Sequence, residues 1–230
     1  MMNALDDTLA PLRQTMVDCQ LRTFDVTDHA VLGRMASVPR EIFLAEGQRP
    51  LSYSDRAVEV TAGSARRRLL APMVLARLLQ GAAIEGSDNI LCVGGGTGYG
   101  AAVAAGLGQS VVALELESSF SEAANGAFAA MGLDNARAVT CAMDRGWPSA
   151  APFDVIVIEG AIETKPSALL DLLSDNGRLV AIEALRGAAL SGAGRAVRYE
   201  KAGGIYGSQA LFSCIASVLP CFETKAAFTF

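Results

Sequence analysis

The apolar positions of the chain change their pattern at Asp88. After that residue, short apolar segments alternate with stretches of helical character. The segments predicted as strands are 90–93, 111–115, 136–140, 154–158 and 178–183. Strands that are apolar along their whole length are buried on both faces, which is typical of a parallel sheet with helices on either side. This part of the chain is therefore predicted to form a doubly wound α/β sheet.

The end of the chain has a different pattern. Three further apolar stretches, 196–201, 210–218 and 226–230, follow one another with Gly-Gly, Tyr-Gly and Leu-Pro turn signals between them. Such close spacing predicts antiparallel strands added at one edge of the sheet. Five parallel strands followed by an antiparallel hairpin make a mostly parallel, seven-stranded sheet, which is the arrangement of Rossmann-like class I methyltransferases.

The beginning of the chain shows helical spacing instead. A first amphipathic helix is predicted over 11–22, where Pro11 suits the opening turn. The apolar positions of this helix are Leu12, Met16, Val17 and Leu21. A second helix is predicted after Thr27, which we interpret as its N-cap residue.

Residues 48–68 lack a regular pattern and contain proline, glycine and serine, so they are predicted to form an irregular loop able to approach a ligand. Pro72 then opens an apolar helical run. We accordingly divide the chain into a helical and loop appendage, residues 1–75, and a sheet domain, residues 76–230. The appendage is expected to cover the binding site of the sheet domain.

The stretch ILCVGGGTGYG, residues 90–100, joins a predicted strand to a glycine turn and an alanine-rich helix. Glycines directly after a strand let the backbone approach a ligand that a Cβ atom would block, and the following helix presents unpaired N–H groups. The binding crevice is therefore expected at the carboxyl end of this strand. Such a turn is typical of a site for a nucleotide-like cofactor.

Glu115 ends the second predicted strand, 21 residues after Gly94. A carboxylate there can accept hydrogen bonds from the two hydroxyls of a ribose and would repel a 2′-phosphate, which argues against NADP. The glycine spacing alone leaves both NAD and S-adenosylmethionine open. The absence of a Tyr-x-x-x-Lys motif and the antiparallel ending favour S-adenosylmethionine, and an NAD-linked oxidoreductase is kept as an alternative.

Composition and charge narrow the class of partner. The formal net charge is −5 and the chain has no lysine-rich tract, so nucleic acid is not expected as a partner. The densest basic cluster, Arg66-Arg67-Arg68, is predicted to be a solvated loop, with a local anion contact as the alternative.

Cysteine and histidine usage argues against metal and disulfide sites. The five cysteines form no Cys-x-x-Cys pair, and the single histidine, His29, is predicted to be a solvated residue in the first turn of a helix. We recognise no secretory signal and no run of roughly 18 apolar residues, so a cytoplasmic protein without membrane association is expected.

Several stretches on both sides of the glycine turn resemble one known family. They are MVDCQLRTFDVTDHAVLGRMASVPREIFL, SYSD, LLAPMVLARLL, ILCVGGGTGYG, VVALELE, MGLDNARAVT, GWPSAAPFDVIVIEGAI and GRLVAIE. The VPREIF and APFD runs are more specific than the glycine turn, because generic methyltransferases lack them. Over nearly its whole length the chain resembles the protein-L-isoaspartate O-methyltransferase family.

The resemblance implies a cytosolic repair enzyme that uses S-adenosylmethionine to methylate a carboxylate of isoaspartyl peptides or proteins. The cofactor-binding positions that it implies are Gly94, Gly95, Gly96, Thr97, Gly98, Glu115, Leu116, Ala142 and Met143. The substrate-side positions are Leu70, Glu159, Gly160 and Ala161. No metal is implied. A carboxylate is already ionised at neutral pH, so the reaction needs positioning rather than a catalytic base, and no catalytic residue is assigned.

Two positions depart from the family pattern. Leu70 stands where the family has a serine whose hydroxyl lies beside the substrate, and Ala142 stands where an aspartate holds the adenine amino group. Asp144 is predicted to be a solvated turn residue, the alternative being that a loop shift lets it replace that aspartate. Met143 is expected to pack against the adenine ring.

Two acids, Glu159 and Glu163, follow the fourth predicted strand. They are interpreted either as exposed acids on a loop or as charges that would repel a carboxylate substrate and favour a cationic or neutral acceptor. These departures leave a second function open, a catalytically silent member that binds S-adenosylmethionine or a protein partner without turnover.

Overall fold

The computed structural model of the protein describes residues 8–185 and 192–224. In this structure the first helix is shorter than predicted. Helix α1 (Ala10–Met16) continues into a π-helical turn, Val17–Leu21, and a 3-10 turn, Arg22–Phe24. Three of the four predicted apolar positions are buried; the prediction is wrong for Leu12, whose side chain is 50% exposed because it lies on the outer side of α1.

Helix α2 (His29–Ser37) begins one residue later than predicted. Asp28, not Thr27, is the N-cap residue, because its carboxylate accepts hydrogen bonds from the backbone N–H groups of Ala30 (2.8 Å) and Val31 (3.0 Å). The backbone N–H of Thr27 instead donates to the side chain of Gln80 at 2.7 Å. His29 is exposed in the first turn of α2, as expected.

The region predicted to be an irregular loop contains an antiparallel hairpin, so that prediction is wrong for residues 58–68. Strand β1 (Val58–Ala62) pairs with β2 (Ala65–Leu69), and Gly63 and Ser64 form the two-residue connection. Gly63 has φ +60°, the conformation that such short hairpin turns require. Helix α3 (Pro72–Ala82) follows and begins at the predicted proline.

Seven strands form the main sheet. In chain order the strands and helices are β3 (Asn89–Val93), α4 (Tyr99–Ala104), β4 (Ser110–Glu115), α5 (Ser118–Ala130), β5 (Ala136–Thr140), β6 (Phe153–Ile162), α6 (Ser167–Asp171), β7 (Leu173–Ala184), β8 (Ala193–Ala202) and β9 (Ile205–Ile215). The spatial order is β5-β4-β3-β6-β7-β8-β9, with β3 to β7 parallel and β8 and β9 antiparallel. The predicted fold class is confirmed. The predicted strand 226–230 lies outside the described residues.

The two faces of the sheet are buried by different helices, as the continuous apolar strands predicted. Cys92 and Val157 point to the face covered by α3 and α4, while Leu91 and Ile158 point to the face covered by α6. The predicted boundary at residue 75 falls inside helix α3. The division of the chain into an appendage and a sheet domain stays a prediction. Among the helices of residues 8–185 and 192–224, none combines the length and apolar character that a membrane span requires.

Candidate active site at the glycine turn

The glycine turn lies at the carboxyl end of β3, where the sequence predicts it. Gly94, Gly96 and Gly98 all have positive φ, +76°, +63° and +95°. L-residues with a Cβ atom rarely adopt such values, so the backbone path itself requires glycine here. The turn is anchored to the next strand by a hydrogen bond from the Gly94 N–H to the carbonyl of Leu114, 3.0 Å.

Glu115 ends β4 directly beside this turn and is only 2% exposed. Its carboxylate accepts a hydrogen bond from the backbone N–H of Gly96. It also forms an ion pair with Arg67 of β2, Nε to Oε2 at 3.2 Å, and the same guanidinium reaches Glu117 at 2.7 Å. Burial raises the pKa of Glu115 to about 7, and Arg67 limits the rise.

The prediction that Arg66-Arg67-Arg68 forms a solvated loop is wrong. The three arginines lie on a strand, and the alternation of β2 places Arg67 on the buried face with Leu69, while Arg66 and Arg68 are exposed. The anionic groups that Arg67 contacts are the carboxylates of Glu115 and Glu117 in the same chain.

Side chains from two other segments cover the glycine turn. A Cβ atom built on Gly96 would lie 2.9 Å from Val60 and 3.2 Å from Arg67 of the hairpin, and one built on Gly94 would lie 2.6 Å from Leu219. The hairpin and the C-terminal segment 216–222 therefore approach the turn from its outer side.

Residues 40–43 of the N-terminal segment contact the end of the glycine turn and the start of α4. The Thr97 hydroxyl donates to the carbonyl of Phe43 at 2.7 Å, and Phe43 meets the ring of Tyr99 edge-on. Arg40 is fully buried, with its guanidinium over the Tyr99 ring at 4.7 Å, and it donates to the carbonyl of Leu70 at 2.8 Å. The VPREIF run thus contacts both the glycine turn, through Phe43 and Thr97, and Leu70, through Arg40.

The predicted substrate-side residues lie together. Leu70, Glu159 and Gly160 line a cavity of about 250 Å³, which is also bordered by Arg67 and Leu219. Ala161 is buried beside it and exchanges backbone hydrogen bonds with the C-terminal segment, donating to Ser217 and accepting from Leu219, both at 2.9 Å.

Glu159 is not an exposed loop acid. Strand β6 continues to Ile162, so Glu159 lies within the strand, and it is 3% exposed. Its carboxylate packs against Gly95 and Gly100; a Cβ atom on Gly95 would lie 2.6 Å from Oε1. Burial raises the pKa of Glu159 to about 8, the charge of Glu115 adds to the rise, and Arg40 opposes it. Glu163, beyond the strand, is half-buried.

The predicted adenine-side residues lie beyond β4 and β5. Met143 is fully buried in the apolar cluster on the α6 face, while Leu116 and Ala142 are partly exposed. Asp144 is exposed in the 3-10 turn Met143–Arg145, in line with its interpretation as a solvated turn residue.

Three site residues were not predicted: Arg40, Arg67 and Leu219. Period-two alternation in VEVTAGSARRRL would have revealed the hairpin and the inward face of Arg67. The family-like VPREIF run contains Arg40 without revealing the burial of its side chain, and no local signal marks Leu219, because both positions depend on contacts between distant segments. In the described residues, no cluster of three or more histidine, cysteine, aspartate or glutamate side chains is arranged to hold a metal ion.

Comparison with known sequences identifies relatives across most of the chain. A family model described as "Protein-L-isoaspartate(D-aspartate) O-methyltransferase (PCMT)" matches residues 13–188. The protein-L-isoaspartate O-methyltransferase of Methylorubrum extorquens (strain PA1) is 37% identical over 171 residues, 74% of this chain and 73% of the relative. That of Rhodopseudomonas palustris (strain ATCC BAA-98 / CGA009) is 35% identical over 165 residues, 72% of this chain and 74% of the relative.

Comparison with solved structures supports the fold. A protein-L-isoaspartate O-methyltransferase superimposes with a TM-score of 0.78 and 22% identity, covering 90% of this chain and 65% of the other. A putative protein-L-isoaspartate O-methyltransferase from Plasmodium falciparum, in complex with S-adenosyl-L-homocysteine, gives a TM-score of 0.74 and 19% identity, covering 90% of this chain and 98% of the other.

Proposed function

Because the chain belongs to the protein-L-isoaspartate(D-aspartate) O-methyltransferase family, we propose that it transfers a methyl group from S-adenosylmethionine to a carboxylate of damaged proteins or peptides. The observation that carries the proposal is the meeting of the glycine turn and Glu115 at the carboxyl ends of β3 and β4. In open α/β sheets, ligands bind at such strand ends. A cytoplasmic location and an isoaspartyl acceptor are the finer parts of this proposal.

The residues around the turn fit the chemical groups of this cofactor. The turn from Gly94 to Gly98 would hold its amino-acid end, Glu115 its ribose hydroxyls, and Leu116, Ala142 and Met143 its adenine. When bound, S-adenosylmethionine supplies an activated methyl group on a sulfonium. The cavity of about 250 Å³ beside Leu70 and Glu159 is smaller than most ligand pockets, roughly 300–1,000 Å³, and it is lined by residues other than these cofactor-side ones.

On the substrate side the chain has to bind and orient a carboxylate. Arg68 is exposed and borders both the cavity and a neighbouring groove of about 840 Å³, where its charge would attract an acidic group. Leu70 cannot donate a hydrogen bond to that group. Because burial raises the pKa of Glu159 to about 8, its carboxyl is mostly protonated at neutral pH, and the repulsion expected from the sequence is weakened.

Methyl transfer from labelled S-adenosylmethionine to an isoaspartyl peptide tests the proposal. The same peptide with ordinary aspartate is the matched control. We expect label on the isoaspartyl peptide and none on the control. Protein that binds S-adenosylhomocysteine in calorimetry but labels neither peptide would contradict the repair activity.

A second candidate is a silent family member that binds its ligand without turnover. Two observations favour it: Leu70 lacks the hydroxyl expected beside the substrate, and Arg67 already engages Glu115. Binding of S-adenosylhomocysteine without methyl transfer would support this candidate, whereas absence of binding would leave only a structural or partner-binding role.

A further inference from the structure

Glu159 is a buried acid at the edge of the cavity beside Leu70. In the part of the chain that the structure describes, Oε1 of Glu159 accepts no hydrogen bond and its carboxylate forms no ion pair. A buried carboxylate is costly unless a cation or donors compensate it. The site therefore contains an acceptor that the surrounding protein leaves unsatisfied.

Arginines from two segments lie near Glu159: Arg40 from the N-terminal segment, and Arg67 and Arg68 from β2. Arg67 is held by Glu115 and Glu117, and Arg40 stacks on Tyr99 and donates to the Leu70 carbonyl. Neither guanidinium forms an ion pair with Glu159. From β3, the thiol of Cys92 faces the same carboxylate; burial raises the pKa of that thiol, and the charge of Glu159 adds to the rise. In the described residues, Nε and Nη1 of Arg40 have no hydrogen-bond partner and Arg68 is exposed at the cavity, so arginine charges lie near Glu159 without pairing with it.

Glu159 also borders the cavity that Leu70, Arg67 and Leu219 line. Gly95 and Gly100 are the residues against which its carboxylate packs, so a ligand seated on the turn would bring its end groups to this place. At about 250 Å³ the cavity has room for an amino-acid-sized group rather than a nucleoside.

We propose that Glu159 binds a cationic group of S-adenosylmethionine, its α-ammonium or its sulfonium, in this cavity. The inference rests on the proposed function and assigns a cofactor-recognition role to a residue that sequence reasoning placed on the substrate side. A cation beside the carboxylate stabilises the ionised form, so binding at neutral pH releases the proton that Glu159 carries.

Calorimetry with three ligands tests the proposal. S-adenosylmethionine carries both cations, S-adenosylhomocysteine carries only the ammonium, and methylthioadenosine carries neither. We expect Glu159→Gln to weaken the first ligand roughly tenfold to a hundredfold and to leave methylthioadenosine unchanged. An equal loss for S-adenosylhomocysteine assigns the ammonium, and a loss confined to S-adenosylmethionine assigns the sulfonium. Glu122→Gln, an exposed acid on α5, is the charge-matched control.

Proton release gives a second readout, independent of activity. Binding heats of S-adenosylmethionine measured at about pH 7 in buffers of different ionisation enthalpy should show release by the wild type and less release by Glu159→Gln. Glu115→Gln separates any contribution of the other buried acid. Unchanged affinity and unchanged proton release in Glu159→Gln would overturn the inference while leaving the proposed function intact.

Two further outcomes are decisive. If the wild type binds none of the three ligands, both the inference and the proposed function fail. If Glu159→Gln does not fold, the wild type decides alone, because proton release that is absent from about pH 6 to pH 9 overturns the role of Glu159 even where the ligand binds.

Discussion

Two buried carboxylates flank the glycine turn, and their surroundings differ. Glu115 accepts the Gly96 N–H and pairs with Arg67, whereas Glu159 packs against Gly95 and Gly100 and has no hydrogen bond or ion pair with any residue that the structure describes. Burial raises the pKa of both, to about 7 for Glu115 and about 8 for Glu159. Glu115 is thus compensated by Arg67 of its own chain, whereas Glu159 is neutral only while it holds its proton.

The largest expected effect concerns stability at high pH. The pKa of Glu159 is raised in the folded protein, so the folded state holds a proton that the unfolded state has lost between about pH 4.5 and 8. The free energy of unfolding therefore falls with rising pH across this window and levels off above it. Glu159→Gln stays neutral, so the variant should match the wild type near pH 4.5 and exceed it by on the order of 4 kcal/mol at pH 9.

Urea unfolding of both proteins at several pH values measures this difference. Glu122→Gln again serves as the control, and its difference from the wild type should not depend on pH over that window. A difference between Glu159→Gln and the wild type that is equally independent of pH would show that Glu159 is already compensated.

Replacing Arg67 removes the cation that distinguishes the surroundings of Glu115 from those of Glu159. Arg67→Gln leaves Glu115 buried without its cation, and we expect a loss of about 3 kcal/mol in the free energy of unfolding at neutral pH. The exposed neighbour Arg66→Gln should cost less than about 0.5 kcal/mol. Because Glu115 becomes free to accept ribose hydroxyls, affinity for S-adenosylhomocysteine in calorimetry should rise roughly tenfold in Arg67→Gln. Weaker binding would contradict the view that Arg67 competes with the ribose.

A hydroxyl at position 70 tests the substrate side. Leu70→Ser restores a donor toward a carboxylate, which is worth about 2 kcal/mol for a hydrogen bond to a charged group. We expect kcat/KM for an isoaspartyl peptide to rise by about thirtyfold relative to Leu70→Ala, which removes the same bulk without adding a donor. Equal activity in the two folded variants would show that a hydroxyl at position 70 does not contribute to turnover.

The smallest expected effect lies far from the site. Asp28→Ala removes the carboxylate that caps α2 and should cost about 1 kcal/mol in the free energy of unfolding. Thr27→Ala keeps the backbone bond to Gln80 and should cost less than about 0.5 kcal/mol. The reverse order in thermal or urea unfolding would restore Thr27 as the cap.

Periodicity predicted the sheet well because its strands are buried on both faces and therefore apolar throughout. The hairpin β1–β2 was missed, since glycine and serine near its turn resemble an irregular loop and three consecutive arginines hide the alternation of β2. Its signal was present in the alternating valines Val58 and Val60 and in the Gly63-Ser64 pair.

The site was only partly predictable for a physical reason. Glu115 and the glycines follow from strand ends, which sequence patterns mark. The burial of Arg67 and Glu159 does not, because whether a charged side chain faces solvent or another segment depends on tertiary contacts of β2 and β6. Leu219 covers Gly94 and Gly160 from more than fifty positions away in the sequence.

The most direct test of the central claim is an NMR titration of the Glu159 carboxyl carbon in protein labelled at glutamate, with Glu159→Gln identifying the signal. We predict a midpoint near pH 8 in the free protein. With saturating S-adenosylmethionine the midpoint should fall by about one pH unit or more, because a bound cation favours the carboxylate. An ordinary glutamate midpoint in the free protein, or a midpoint that the bound ligand leaves unchanged, would contradict the claim.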